Sequence, residues 1–168
     1  MSNWCYSAEP DPALYDRTLY WPRGKVLGGS SSINAMVYHR GQAGDYDDWE
    51  RAGNPGWGYN AVKKIYESFE NLSSEKVSSP PRSKPPLDRN QLAVYDASAD
   101  YHALKDHFDQ AFSQAGLMRP APVCLEGEGV GPYLITTRGG QRCSSATAFL
   151  HPAAGRSNLE VLTHATVT

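Results

Sequence analysis

The stretch that most constrains this chain is the run from Gly24 to Asn34, GKVLGGSSSIN, which is rich in glycine and serine. Paired glycines lack Cβ atoms, so their backbone N–H groups can approach a ligand closely, and the serine hydroxyls add donors. A helix beginning behind such a loop would also favour negative charge. The run therefore suits a phosphate or pyrophosphate group, although a tight glycine turn with serine caps explains the same residues without a ligand.

Two well-known phosphate motifs do not fit this run. A P-loop needs lysine after the last glycine and before Ser or Thr, whereas Lys25 precedes the glycine pair. The fingerprint G-x-G-x-x-G follows a strand within a βαβ unit of about 30 residues, and the segment before Trp21 is too short and too irregular for that unit. The run therefore predicts an additional cofactor contact and not a complete nucleotide site.

Composition excludes several classes of protein. Of the 168 residues, 40% are hydrophobic and 20% are charged, which is typical of a globular domain. The formal net charge of -2 favours neither nucleic acid nor an anionic membrane surface as a partner. No apolar run approaches the ~20 residues of a transmembrane helix, and the first residues do not resemble a secretory signal.

The cysteines and histidines give little sign of special chemistry. Cys5, Cys124 and Cys143 are widely spaced, which favours a reducing compartment and slightly favours the cytoplasm. Cys143 has no adjacent base and is expected to be inert. His102 and His107 are not at the i, i+4 spacing of a helical metal site, so no metal site is expected.

Hydrophobic periodicity and terminating residues predict a mixed α/β chain. Ser144 and Ser145 are expected to cap a helix and Arg142 to pack, and Trp49 and Trp57 are expected to anchor the core. A helix is predicted for the apolar segment 33–38, which follows the glycine-rich run described above, here called the glycine loop. The other predicted helices are 45–51, a longer one capped by Asn60, 102–116, and 144–150, which Pro152 halts. The predicted strands are 92–95, 131–137 and 159–167, and a Pro-rich loop is predicted for 73–89.

Two blocks of the sequence resemble one enzyme family. The run WPRGKVLGGSSSINAMVYHRG, followed by DYDDWERAGNPGWGY, is similar to the first signature region of the glucose–methanol–choline (GMC) oxidoreductases, and most similar to their choline dehydrogenase-like branch. A second block, GGQRCSSA with FLHPA and NLEV behind it, follows in the family's order and at about its spacing. The resemblance covers most of the chain apart from roughly residues 73–90.

The resemblance implies a fold and a division of the chain. The family combines a Rossmann-like FAD-binding domain with an antiparallel-sheet substrate domain, and this chain should contain part of each. Residues 1–56 are expected to carry the FAD-contacting loop and helix, 57–140 to belong to the substrate-binding domain, and 141–168 to return to the FAD-binding domain.

The resemblance also implies which residues contact the cofactor. The segment from Val26 to Ser30 should lie along the pyrophosphate and ribityl chain of FAD, and the segment from Asn34 to Val37 should pass the isoalloxazine ring. Ile33 stands where some members carry the histidine that attaches FAD covalently, so non-covalent FAD is expected. The expected flavin contacts are Val26, Ser30, Asn34, Ala35 and Val37, with the main chain of Val167 at the adenine end.

The implied activity is oxidation of the CH–OH group of a small-molecule alcohol by hydride transfer to flavin N5. The family's GxGxxG unit and C-terminal catalytic histidine have no match here, so no catalytic residue is expected in this chain, which should be inactive alone and bind FAD weakly at best. Two alternatives stay open: a truncated product without an enzymatic role, and a stand-alone phosphate-binding module built on the GGSSS loop.

Overall fold

The structure is a computed structural model that describes residues 1–73, 91–99, 103–117 and 130–165. It opens with an arm of two short antiparallel strands, β1 (Tyr6–Ser7) and β2 (Tyr20–Trp21), which are exposed along their length. Between them, a 3-10 turn (Pro12–Leu14) is capped by Asp11, whose carboxylate accepts a hydrogen bond of 2.8 Å from the Ala13 N–H. The arm leads directly into the glycine loop.

A four-stranded mixed sheet lies at the centre of the described chain. Its strands stand in the order β3–β6–β5–β4, with β4 and β5 parallel and the other neighbours antiparallel. The side chains of Val94 and Leu134, each 1% exposed, meet Tyr38 in its core. The four strands are β3 (Val37–Tyr38), β4 (Glu70–Ser73), β5 (Leu92–Asp96) and β6 (Leu134–Ile135).

Two helices connect β3 to β4. The first, α1 (Ala43–Arg51), begins with a capping box in which the Asp45 carboxylate accepts a hydrogen bond of 2.8 Å from the Gln42 N–H. The second, α2 (Tyr59–Phe69), continues directly into β4. The hydroxyls of Tyr46 and Tyr66 lie 3.0 Å apart and the two rings meet edge to face, so this pair joins the two helices.

A buried ion pair ties β3 to β4. The Arg40 guanidinium donates to both carboxylate oxygens of Glu70, which also accepts a hydrogen bond from the Tyr38 hydroxyl. The two charged side chains are 8% and 7% exposed. Burial raises the pKa of Glu70 to about 7, while the positive charge of Arg40 favours the ionised carboxylate.

The last part of the described chain packs against the sheet and the glycine loop. Cys143 and Ala148 join Ala93 in a second small core cluster. The elements here are the hairpin of β7 (Thr137–Arg138) and β8 (Gln141–Arg142), a π-helical turn (Ala146–Leu150) and a final helical turn, α4 (His151–Ala153). Helix α3 (Leu104–Gln114) lies earlier, between β5 and β6 in the chain, and none of its residues is buried.

The mixed α/β class predicted from the sequence is confirmed, as are the helix at 45–51, the strand at 92–95 and the helix within 102–116. The expectation of a helix behind the glycine loop is wrong. The chain forms a 3-10 turn over Gly29–Ser32 and then β3, because Met36 adopts a left-handed conformation (φ 64°) that directs the next residues onto β6. Helix α2 is capped by Gly58, so Asn60 lies inside it.

Three expectations near the carboxyl end also need correction. The predicted strand 131–137 is two short strands, β6 and β7, in different sheets. Pro152 lies in the first turn of α4, where its missing N–H costs no hydrogen bond, and does not halt the helix. Residues 159–165 form no strand, and the rest of that predicted strand lies outside the described residues.

Two further expectations concern residues in the middle of the chain. Trp49 and Trp57 are 49% and 53% exposed, so they are not core anchors and touch each other edge to face on the surface. The predicted Pro-rich loop lies outside the described residues except for Ser73, which ends β4.

Candidate cofactor-binding site

The glycine loop has a backbone that only glycine adopts readily at two positions. Gly28 (φ 86°) and Gly29 (φ 54°) are both left-handed and lead into the 3-10 turn. A Cβ on Gly28 would lie 2.5 Å from Ser32 Oγ and 3.2 Å from Ala146 Cβ. A Cβ on Gly29 would meet no atom within 4 Å. One glycine is therefore packed inward, and the other leaves open space in front of the loop.

The start of the loop folds tightly against its centre. A Cβ on Gly24 would lie 2.1 Å from the carbonyl oxygen of Gly29, closer than any side chain permits. The Gly24 N–H also donates a hydrogen bond of 3.2 Å to Ser30 Oγ. The spacing of glycines along the motif thus reflects a backbone-to-backbone approach within the loop.

A serine clasp, formed by Ser31 and Ser145, joins the loop to the second sequence block. Ser31 Oγ donates to the Gly28 carbonyl (2.6 Å) and accepts from the Ser145 N–H (2.9 Å). Ser145 Oγ also donates to the Gly28 carbonyl, at 3.2 Å. These serines are 114 residues apart in sequence. The clasp fixes the inner side of the loop and leaves its outer side uncovered by these contacts.

Arg142, at the end of β8, holds the segment behind the loop. Its Nη1 donates to the Ser31 carbonyl (3.1 Å) and to Asn34 Oδ1 (2.6 Å), and its Nη2 donates to the Asn34 carbonyl (2.8 Å). A planar guanidinium provides several donors in a fixed fork, which matches this set of oxygens. Asn34 is therefore restrained through both its main chain and its side chain.

The left-handed turn at Met36 depends on the same residues. The Met36 N–H donates to Asn34 Oδ1 (3.0 Å), and the Met36 carbonyl accepts from the Thr136 N–H (2.9 Å). The Thr136 carbonyl in turn accepts from the Cys143 N–H (2.9 Å). A non-glycine residue with positive φ is costly unless its surroundings hold it, and here both sides of the residue are bonded.

The loop and the segment behind it combine unpaired backbone donors with exposed apolar side chains. The backbone N–H groups of Gly28, Ser30 and Ala35 donate to no residue that the structure describes. Val26 and Val37 are 47% and 48% exposed. Unpaired N–H groups beside a glycine that leaves open space fit a ligand rich in acceptor oxygens, and the valines fit an apolar part of the same ligand.

A shallow depression of about 320 Å³ borders the loop at Gly28. Apart from Gly28 and Ser145, its walls are apolar side chains of the π-helical turn and α4. The lining residues are Gly28, Ser145, Ala146, Phe149, Leu150 and Ala153.

The structure brings five of the six predicted cofactor contacts together on one exposed segment. All five are exposed, and Val167 lies outside the described residues. Sequence reasoning missed the role of Arg142, which was expected only to pack, and of Ser145, which holds the loop and caps no helix. Ser144 does cap, since its hydroxyl accepts from the Thr147 N–H at 3.2 Å. Both Arg142 and Ser145 stand in the second sequence block, and this was the sequence signal that could have indicated their role in holding the loop.

Metal-binding clusters and membrane-spanning helices are both absent from the described residues. Among them, no group of three or more His, Cys, Asp or Glu is placed to hold a metal ion. No helix in the described ranges is long and apolar enough to cross a bilayer. His107 and His151 are exposed, and His102 lies outside the described ranges.

Fold and site define a mixed α/β chain with a glycine–serine loop suited to a ligand rich in acceptors, and comparison with known proteins identifies its family. The family model described as GMC oxidoreductase matches residues 12–168. The alcohol dehydrogenase [acceptor] of Pseudomonas putida is 39% identical over 175 residues, which is 99% of this chain and 29% of that protein. Mitochondrial choline dehydrogenase of Homo sapiens is 40% identical over 161 residues, which is 94% of this chain and 26% of that protein. The chain belongs to the GMC oxidoreductase family.

Solved structures agree with this assignment. The pyridoxine 4-oxidase from Mesorbium loti superposes with a TM-score of 0.76 and 26% identity, over 96% of this chain and 31% of that one. An FAD-dependent oxidoreductase from Chaetomium thermophilum has the same fold, with a TM-score of 0.76 and 23% identity over 96% of this chain and 29% of that one. The chain thus spans less than a third of the length of each relative named here.

Proposed function

We propose that this chain forms part of the FAD-binding surface of an oxidoreductase that acts on the CH–OH group of a small-molecule alcohol. The observation that carries the proposal is the convergence of the two sequence blocks: Arg142 and Ser145 hold the glycine loop at Ser31, while the N–H groups of Gly28 and Ser30 donate to no described residue. The family supports the cofactor, since one further relative, a Drosophila melanogaster enzyme 39% identical, is named glucose dehydrogenase [FAD, quinone].

The exposed residues divide by chemistry along the proposed cofactor. The N–H groups of Gly28 and Ser30 suit the anionic pyrophosphate, because a loop of unpaired donors stabilises negative charge. Asn34, Ala35 and Val37 suit the isoalloxazine ring, a flat group with polar edges and apolar faces. The main chain of Val167 is proposed for the adenine end.

FAD held at this segment would supply the hydride acceptor for oxidation of the alcohol carbon. The residues of this chain bind and orient that group. The Ala35 N–H is free to donate to an edge of the ring, and a fixed donor of this kind favours an electron-rich ring electrostatically. Val26 and Val37 exclude water from the faces that they cover.

Attachment of the cofactor is proposed to be non-covalent. Ile33, half-buried behind the loop, offers only hydrocarbon at the position where some members carry a histidine. We also propose that residues 1–56 and 141–168 belong to the cofactor side of the enzyme and 57–140 to the substrate side. The hydrogen bonds from Arg142 and Ser145 to the loop support this grouping.

The chain by itself should bind FAD weakly and oxidise no alcohol, because the exposed segment contacts only one side of such a cofactor. The test is therefore a titration that detects weak binding. FAD is added to the 15N-labelled chain, and backbone amide shifts are followed residue by residue. The expected result is saturable shifts at Gly28, Ser30 and Ala35, with no comparable change at Gly44 inside α1 or at Gly53 just after it.

Riboflavin and ADP serve as matched probes in the same titration. Riboflavin should shift the Ala35 amide, and ADP should shift those of Gly28 and Ser30. Shifts concentrated outside the loop, or none at millimolar FAD in a folded chain, would contradict the proposed function.

A further inference from the structure

The side-chain amide of Asn34 has only one orientation compatible with its neighbours. Its inward atom lies 2.6 Å from Arg142 Nη1 and 3.0 Å from the Met36 N–H, and both of these groups are donors. The inward atom must therefore be the oxygen Oδ1, since an NH2 group there would face two other donors. The Nδ2 amino group is left on the exposed side, where it donates to no described residue.

We propose that Arg142 is a positioning residue that fixes this orientation, so that Asn34 presents its NH2 group to a hydrogen-bond acceptor on the isoalloxazine ring of the cofactor. The inference rests on the proposed function and adds a chemical requirement to it. The ring atom that meets Asn34 must be a carbonyl oxygen or an unprotonated nitrogen, because the side chain has no acceptor left to offer.

Arginine has a specific advantage at this position. The guanidinium contacts three oxygens at once, those of Ser31 and Asn34 in the main chain and Oδ1 of Asn34. Lysine keeps the positive charge but has a single ammonium on a flexible stem and no planar fork. It is therefore expected to leave the Asn34 amide free to rotate. Arg142 is held in β8, paired to β7, so its own position is fixed by the hairpin.

Two substitutions separate orientation from stability. In Asn34→Asp an oxygen still accepts from Arg142 and from the Met36 N–H, so the melting temperature should be unchanged or raised. The NH2 donor is lost, however, and the dissociation constant for riboflavin should rise about five- to tenfold. Riboflavin carries no phosphate, so this probe is free of repulsion between the new carboxylate and the pyrophosphate.

The second substitution is Arg142→Lys, with Arg138→Lys as its matched control. Arg138 lies on the other strand of the same hairpin and donates to the Gln91 carbonyl, away from the loop. Arg142→Lys should weaken riboflavin binding about as much as Asn34→Asp and should broaden or double the Asn34 side-chain amide signals. Arg138→Lys should bind riboflavin as the unmodified chain does.

The outcomes distinguish this inference from the proposed function. If the unmodified chain shows no loop shifts with FAD or riboflavin, the proposed function fails and this inference fails with it. If the loop shifts are present but both variants bind riboflavin normally, or Asn34→Asp weakens FAD alone, only the inference is overturned. Because Asn34→Asp keeps the Arg142 contact, the test holds even if Arg142→Lys does not fold.

Discussion

Arg142 donates hydrogen bonds to both the side-chain and the main-chain oxygen of Asn34, a residue 108 positions earlier in the chain. This contact links the two sequence blocks that define the family resemblance. It also holds the segment whose neighbour, Met36, has an unfavourable left-handed backbone.

Replacing Gly24 with alanine should destabilise the chain. The new Cβ would meet the Gly29 carbonyl at 2.1 Å, and backbone atoms cannot move aside as a flexible side chain can. We expect a loss of about 1–3 kcal/mol in the free energy of unfolding, measured by chemical denaturation. Gly44→Ala is the control, because Gly44 lies inside α1 and a Cβ added there would meet no atom within 4 Å. Alanine favours a helix more than glycine does, so the free energy of unfolding should rise by about 0.5–1 kcal/mol. Equal effects of the two substitutions would show that the close approach at Gly24 is not real.

Replacing Ser145 with alanine should loosen the serine clasp. The substitution removes the hydrogen bond from Ser145 Oγ to the Gly28 carbonyl and the contact with Ser31 Oγ at 3.0 Å. A loss of about 1 kcal/mol in the free energy of unfolding is expected, together with faster hydrogen exchange of the Ser31 amide. In the control, Ser68→Ala, the lost bond is a local one to Ile65 on the exposed side of α2, and the free energy should change by less than about 0.5 kcal/mol. Unchanged exchange at Ser31 would argue against the clasp.

Glu70 should make stability depend on pH. Its carboxyl has a pKa of about 7 in the native chain and about 4.5 when unfolded, so the native state binds more protons between these values. The contribution of Glu70 to the free energy of unfolding is therefore fully present below pH 4.5 and is lost as the pH rises through 7. Chemical denaturation at several pH values from 4 to 8 gives the free energy of unfolding of the unmodified chain and of Glu70→Gln. The difference between the two free energies measures the contribution of Glu70 and should decline as the pH rises. A difference that grows with pH would mean that attraction to Arg40 outweighs burial.

The two cysteines that the structure describes should differ in reactivity. Cys5 is exposed, whereas Cys143 is 2% exposed and its sulfur accepts a hydrogen bond from the Ala93 N–H at 3.4 Å. A thiol reagent should therefore modify Cys5 rapidly and Cys143 only at the rate at which the core opens. Peptide mass spectrometry after short labelling measures each site separately, with labelling in denaturant as the control. Rapid modification of Cys143 in the native chain would contradict its place in the core.

Local sequence determined the elements whose signals lie within a few residues. Helix α1 follows from Asp45 at its start and Gly53 after its end, and the apolar run at Leu92 gives β5. The glycine loop was recognisable for the same reason, because left-handed backbone and close approach require glycine wherever they occur. These features depend on neighbours along the chain, so they could be predicted without knowing the fold.

Tertiary structure decided everything that depends on distant partners. The segment behind the loop is a strand because Met36 is fixed by Asn34 and Thr136. Trp49 is a surface residue because Tyr46 and Trp57 cover only part of its ring. Whether Arg142 merely packs or holds Asn34 is likewise not encoded near either residue. Hydrogen bonds between residues about 100 positions apart, and the burial of those residues, are set by the packing of the whole chain. A sequence pattern can assign Arg142 and Asn34 to the blocks that define the family, but it cannot say which atoms they contact.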